Sequence, residues 1–214
     1  MNDVSKQICE IIGTGSTGNA VLYHRQILID IGVSYKAIEP YKKEIQLILL
    51  THEHLSDHLN ISALKKLCAE RPLIRVGCGS WMVKYLEGIK NIDVYESGCV
   101  YDYGQFSISP FKLYHNCEIY GYRIFKGNHK TFHATDTKHL EGLTAKDYDL
   151  FCIEFNHSEE TLNLRIEEKQ KRGQFAYEIG SKNSHLSEEQ AREFIFKNAN
   201  ENSKVLRLHE SSKQ

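Results

Sequence analysis

Thr51-His52-Glu53-His54-Leu55-Ser56-Asp57-His58 places three histidines and one aspartate within the seven residues from 52 to 58. The segment follows Ile45-Gln46-Leu47-Ile48-Leu49-Leu50, a nearly continuous apolar run of the kind a buried strand shows. In an extended chain, residues two apart point to the same side. His52 and His54 can therefore address one ion together. Asp57 and His58 lie just beyond, where the chain turns toward the next helix, and can address a second ion. Imidazoles with a carboxylate suit zinc, manganese or iron. The competing reading is a polar loop with incidental histidines, and this density at a strand end argues against it.

Outward from that loop the chain alternates strands and helices. Upstream, Gln7–Thr14 reads as a strand that enters the turn Gly13-Thr14-Gly15-Ser16-Thr17-Gly18-Asn19. Ala20–Tyr23 and Gln26–Asp30 read as a hairpin turning at His24-Arg25, and Ser34–Glu44 as a helix broken at Pro40. Downstream, Ile61–Glu70 predicts a helix, Leu73–Val76 a strand, Gly79–Glu87 a helix and Ile92–Tyr95 a strand. Val100–Tyr114 and Tyr120–Thr135 suggest hairpins, the second turning at Gly127-Asn128. Asp149–Phe155 predicts a strand and Ser158–Gln170 a charged helix. Ser187-Glu188-Glu189-Gln190 matches a capping box for a helix to about Lys197, and Lys204–Leu208 a last strand. No repeat, low-complexity tract or Pro/Gly-rich linker interrupts this order. A single α/β domain over residues 1–214 is the expectation.

Composition narrows the function. Lys and Arg number 27 against 28 Asp and Glu, a formal net charge of −1. A protein that wraps a long nucleic acid carries a basic excess, so any nucleic-acid footprint here is expected to be small or local. The six cysteines form no Cys-x-x-Cys pair and read as buried small hydrophobes in a reducing compartment. The N-terminus lacks a signal-peptide pattern, and no apolar run approaches membrane-spanning length. The expected location is the cytoplasm.

The loop and the segments around it resemble the metallo-β-lactamase-fold hydrolases. Nearest in pattern are WalJ-type nucleases, ribonuclease Z and the anti-Pycsar cyclic-nucleotide phosphodiesterases. The resemblance runs almost end to end. The Gly13–Asn19 turn is similar to the opening turn of these families. Leu28-Ile29-Asp30-Ile31-Gly32 is similar to the motif whose aspartate orients metal ligands. His115, before Gly121-Tyr122-Arg123-Ile124, resembles their third histidine, and Ala134-Thr135-Asp136-Thr137 the strand end with the bridging aspartate. Asn156-His157 resembles a WalJ segment, and His185-Leu186-Ser187 the histidine motif that assists catalysis. Leu208-His209-Glu210-Ser211 resembles the terminal motif that carries the last ligand.

The resemblance implies an αββα sandwich of four layers built on two mixed sheets. It implies His52, His54, His115 and Asp136 around one divalent ion, and Asp57, His58, Asp136 and His209 around another. Zinc is the first expectation for both, manganese the second. A dinuclear site needs a bridging carboxylate and an open position for water. The pattern departs from these families at one place. Two residues, Leu55 and Ser56, separate His54 from Asp57 where one is usual, so either the loop bulges there or the ligands of the second ion are displaced.

The chemistry implied is attack of a metal-activated water on phosphorus. Asp57 or Asp136 would hold the nucleophile's proton, and His185 would be the general acid. A nucleotide is the expected substrate, a cyclic mononucleotide first, because neither a basic excess nor a clamp insertion is visible. Ends of DNA or RNA are the alternative, gripped by residues such as Lys42, Lys43, Arg123, Lys171 and Arg172. A lactam or thioester hydrolase is a further alternative on the same fold. The resemblance also allows a homodimer. His24, His129, His133 and His139 read as surface residues.

One rival reading concerns the glycines. Gly13-x-Gly15-x-x-Gly18 fits a dinucleotide fingerprint, but that motif must open a helix. Ala20-Val21-Leu22-Tyr23 is strand-like, and Asp30 comes too early for the expected acidic residue. The glycines are instead expected to allow a tight turn and close backbone packing.

Overall fold

The apolar run before the histidine loop forms β4 (Leu47–Leu49), with all three side chains buried. A computed structural model describes residues 8–55, 57–176 and 178–210. It divides into two compact units, residues 1–96 and 97–214.

The first unit is a six-stranded mixed sheet in the order β1 (Cys9–Gly13), β2 (Ala20–Tyr23), β3 (Ile27–Ile29), β4, β5 (Arg75–Gly79) and β6 (Ile92–Tyr95). The pairs β1–β2 and β2–β3 are antiparallel, and β3 to β6 run parallel. The β2–β3 connection is His24–Gln26, with Tyr23 facing Ile27, and His24 and Arg25 both sit at positive φ. The segment around Pro40 forms α1 (Tyr35–Ile38) and then a 3-10 turn, Glu39–Tyr41, with proline in its first turn. The helix α2 (Ile61–Glu70) starts where Asn60 Oδ1 accepts the Ala63 N–H. It buries Ala63, Leu64 and Leu67 in a core with Leu22, Leu28, Ile48, Leu50, Val76 and Met82. Each large side chain of that kind contributes about 1.5–3 kcal/mol on burial.

The second unit repeats the plan. Its sheet order is β12 (Lys204–Leu208), β11 (Leu150–Glu154), β10 (His129–Ala134), β9 (Tyr120–Lys126), β8 (Ser107–Lys112) and β7 (Tyr101–Asp102). The three strands β10, β11 and β12 are parallel, and the remaining pairs are antiparallel. Three helices follow β11: α3 (Glu159–Lys171), α4 (Glu178–Ser184) and α5 (Glu188–Asn198). The predicted capping box is complete, with Ser187 and Gln190 bonding each other's backbone. The core gathers Phe111, Phe132, Phe151, Ile153, Leu186 and Phe194.

Several expectations need correction. The stretch predicted as a helix over 79–87 is a 3-10 turn, Ser80–Tyr85. A Cβ on Gly79 would meet the Trp81 ring at 2.2 Å, so this turn is shaped by close side-chain packing rather than by helical periodicity. The strand expected at 73–76 begins later, at Arg75, because Leu73 lies exposed before the pairing starts. Helix α4 was not foreseen. Of the cysteines, Cys9, Cys78 and Cys152 are buried as expected, but Cys99 is exposed. His133 is buried rather than at the surface, and His24, His129 and His139 are half-buried.

In both units the residues of interest follow the C-terminal ends of parallel strands. Asp30 follows β3 and the histidine loop follows β4. Asp136 follows β10, Glu154 ends β11 and His209 follows β12. Loops past the carboxyl ends of parallel strands are where open α/β sheets place ligands.

Gly32 shows how tightly the first of these loops is built. A Cβ there would fall 1.8 Å from the Asp57 carbonyl oxygen and 2.8 Å from the His58 nitrogen. The same crossing is stapled by bonds from Asn19 N–H to Asp57 O (2.6 Å), Ile31 N–H to His58 O (3.0 Å) and Gly32 N–H to Asn19 O (2.8 Å). Gly18 also lies against backbone, since its Cβ would meet Gly32 O at 2.5 Å. The glycines are thus packing devices, as the strand β2 that follows them also requires. Gly32→Ala is expected to lower Tm by roughly 5–10 °C, since overpacking costs about 1–3 kcal/mol and more against backbone. Thermal denaturation checks this; an unchanged Tm would contradict the packing reading.

Candidate metal centre

In the first unit the buried Asp30 organises the histidine loop. Its Oδ1 accepts the Thr51 N–H at 2.8 Å. Its Oδ2 accepts the Thr51 hydroxyl at 2.8 Å and lies 2.7 Å from His58 Nδ1. Thr51 Oγ1 in turn lies 2.8 Å from His52 Nδ1. With the Thr51 proton committed to Asp30, the network assigns the Nδ1–H tautomer to both His52 and His58. Their Nε2 atoms are then lone-pair nitrogens, the form in which imidazole ligates a metal. His52 Nε2 and His54 Nδ1 face each other at 3.0 Å. Two such nitrogens need a proton or a cation between them. The His52 and His58 rings stand 4.2 Å apart between centroids. His58 Nε2 is 2.9 Å from Asn19 Nδ2 and 3.8 Å from Asp57 Oδ2.

Leu55 and Ser56 are the two residues at which the bulge is expected. The loop closes onto the His54 carbonyl, which accepts the His58 N–H at 3.0 Å and the Leu59 N–H at 3.1 Å. Leu55 is exposed, and Ser56 lies outside the described residues.

In the second unit, four predicted and unpredicted residues converge. Asp136, Glu154, His185 and His209 offer ligand atoms that all lie within 4.8 Å of one another. His209 Nδ1 lies 3.0 Å from Asp136 Oδ1 and 2.9 Å from Glu154 Oε1. His185 Nδ1 lies 2.6 Å from the same Glu154 oxygen and 3.3 Å from Asp136 Oδ1. Glu154 Oε2 also accepts the Thr137 N–H (3.1 Å) and the Leu186 N–H (3.3 Å). His115, half-buried, has Nδ1 3.0 Å from the Ser184 carbonyl, which again leaves Nε2 as the lone-pair nitrogen. Asn156 Nδ2 donates to the His209 carbonyl at 3.3 Å, and His157 is buried beside it.

The electrostatics of this set call for positive charge. Burial works against a charged His209, but hydrogen bonds to Asp136 and Glu154 outweigh it and push the imidazole up to about 10. Burial likewise opposes a charged Glu154, yet its bonds to His185 and His209 hold the carboxyl below its usual range. Two buried carboxylates facing one nitrogen are satisfied here by a proton, and a divalent cation meets the same demand. The donor set therefore fits a metal ion: carboxylate and imidazole, buried, with tautomers fixed by neighbouring acceptors.

The backbone carries the same signature. Asp30, Asp136 and His209 all sit at positive φ, 57°, 51° and 48°. Non-glycine residues in that region cost energy and concentrate at functional sites.

Glu154 is the residue that sequence reasoning missed. The signal was present, because the strand Leu150-Phe151-Cys152-Ile153-Glu154 is wholly buried and ends in a carboxylate. A charge in that position must be paired.

Comparison with known proteins agrees with the fold. The Beta-lactamase superfamily domain matches residues 25–206. Similar solved structures include the metallo-beta-lactamase fold protein YhfI from Bacillus subtilis, with a TM-score of 0.73 at 14% identity, covering 96% of this chain and 86% of that one. Human tRNase Z, short form, superposes with a TM-score of 0.68 at 16% identity over 96% of this chain and 93% of that one. A diphosphatase from the PhnP family gives 0.64 at 14% identity over 95% and 86%. No curated protein sequence matches. The chain is thus a metallo-β-lactamase-fold protein, by class a metal-dependent hydrolase. It belongs to the Beta-lactamase superfamily domain family. Among the described residues, no helix is long and apolar enough to cross a membrane.

Proposed function

We propose that the chain is a two-metal phosphodiesterase acting on a nucleotide substrate, a cyclic mononucleotide first. The observation that carries this reading is the Glu154-centred set, in which a buried carboxylate orients His185 beside Asp136 and His209. A histidine held by a carboxylate is a proton donor in waiting, and phosphodiester cleavage needs one at the leaving oxygen. The names of the structural neighbours, a tRNase Z and a diphosphatase, support phosphoryl chemistry.

In this proposal His52, His54, His115 and Asp136 hold one ion, and Asp57, His58, Asp136 and His209 hold the other. The ions are zinc, with manganese as second choice. Bound dications supply a water of lowered pKa and neutralise charge at the phosphoryl group. Asp30, through Thr51 and His58, keeps the histidine nitrogens in ligating form. Asp57 or Asp136 takes the nucleophile's proton. His185 gives its proton to the departing oxygen, and Glu154 holds its ring in place through Nδ1.

The small substrate gains support from the cationic residues considered as a grip for nucleic acid. Lys42 Nζ is tied to Glu70 at 2.7 Å, and the Arg123 guanidinium packs 4.6 Å from the centre of the Phe111 ring. Both are engaged within the fold. Our reading also includes one domain over the whole chain, a cytoplasmic location and a homodimer as the assembly.

A substrate panel tests the proposal. Protein loaded with zinc or manganese is offered a generic phosphodiester, cyclic mononucleotides, single-stranded DNA and a β-lactam. The expected result is turnover of the generic ester and faster turnover of a cyclic mononucleotide. Preference for the DNA would transfer the assignment to an exonuclease. Turnover of the lactam alone would overturn it.

A further inference from the structure

Beside the proposed centre, the second unit carries an aromatic pair that the mechanism does not use. The Tyr114 and His139 rings stack with centroids 4.1 Å apart and planes 26° from parallel. Tyr114 immediately precedes His115, and His139 lies three residues after Asp136. Tyr114 is 51% exposed, so this stack is not part of the core.

The backbones on either side of the pair are tied together. The Lys138 N–H donates to the Tyr114 carbonyl at 2.7 Å. The Tyr114 N–H donates to Thr137 Oγ1 at 3.1 Å, and that hydroxyl donates to the His139 carbonyl at 3.0 Å. The Thr137 N–H donates to Glu154 Oε2 at 3.1 Å. One buried threonine thus links the aromatic pair to the carboxylate that orients His185.

A lone exposed tyrosine needs no explanation. A tyrosine braced face-on by a second ring, with its backbone N–H and carbonyl both bonded to the 137–138 segment, is a preorganised stacking surface. Every nucleobase presents a π-face, and stacking of this kind tolerates base identity. We propose that Tyr114, backed by His139, binds the nucleobase of the substrate by stacking. It thereby selects nucleotide phosphodiesters over simple ones. The inference rests on the phosphodiesterase reading, and it adds which part of the substrate is recognised.

The test compares two esters with the same leaving group, thymidine 5′-(p-nitrophenyl phosphate) and methyl p-nitrophenyl phosphate. Only the first has a base. The ratio of their kcat/KM values is expected to fall about tenfold in Tyr114→Ala, to persist in Tyr114→Phe and to fall less in His139→Ala. An unchanged ratio in Tyr114→Ala would overturn the proposal. A second measurement is independent of turnover. Calorimetry of metal-free protein is expected to show AMP binding weakened about tenfold in Tyr114→Ala, with ribose 5-phosphate binding unmoved. Equal weakening of both would also overturn it. If the wild type hydrolyses neither ester, the phosphodiesterase reading fails, and the calorimetry still decides the stacking.

Discussion

Asp136→Asn is expected to lower kcat on a phosphodiester on the order of 10³-fold or more, and to reduce bound metal. The substitution is chosen for the backbone. Asp136 lies at φ 51°, where asparagine is tolerated far better than alanine. The shape of the side chain is kept and the charge is lost. Asp136 Oδ1 stands 3.0 Å from His209 and 3.3 Å from His185, so the loss falls at the meeting point of the set. A neutral amide would be a poor bridge for the two dications of the proposed centre, so loss of metal is expected. Asp136→Ala is expected to act in the same direction, with an added cost from strain. Metal quantification alongside kinetics checks both. Full turnover by either variant would remove the dinuclear account.

His185→Ala is the second large effect. General acid catalysis supplies about 10²–10⁴-fold. The loss is expected in that range for an alkoxide leaving group, with bound metal unchanged. An activated aryl ester needs little protonation of its leaving oxygen, so its kcat is expected to fall far less. Glu154→Gln is expected to reproduce the leaving-group pattern, because His185 Nδ1 loses its anionic partner at 2.6 Å. It also costs stability, about 1–3 kcal/mol, since the amide NH2 that replaces Oε1 cannot accept from His185 and His209 Nδ1 as the carboxylate does. Equal losses on both ester types would assign His185 to metal binding or folding rather than to proton donation.

What could be seen beforehand follows from where the physics is local. The buried run before the histidine loop, the helix Ile61–Glu70, the Ser187 capping box and the strand Lys204–Leu208 each carry their signal within a few residues. The histidine loop was equally legible, because ligand density at a strand end is a local pattern. Glu154 was not read, although its place at the end of an apolar strand marked it. Its role depends on His185 and His209, which lie 31 and 55 residues away. The anchoring of the histidine loop by Asp30, through Thr51 and His58, was legible only through family resemblance, since the bonds cross 21 and 28 residues. The 3-10 turn Ser80–Tyr85 escaped because it is set by a ring packed on Gly79, a contact that periodicity does not encode.

The central claim is that two ions share Asp136. Anomalous diffraction at the zinc edge, from crystals grown with zinc, tests it most directly. The account predicts two peaks per chain roughly 3.5–4 Å apart, with an Asp136 oxygen between them. A single peak, or peaks bound away from Asp136 and His209, would contradict it.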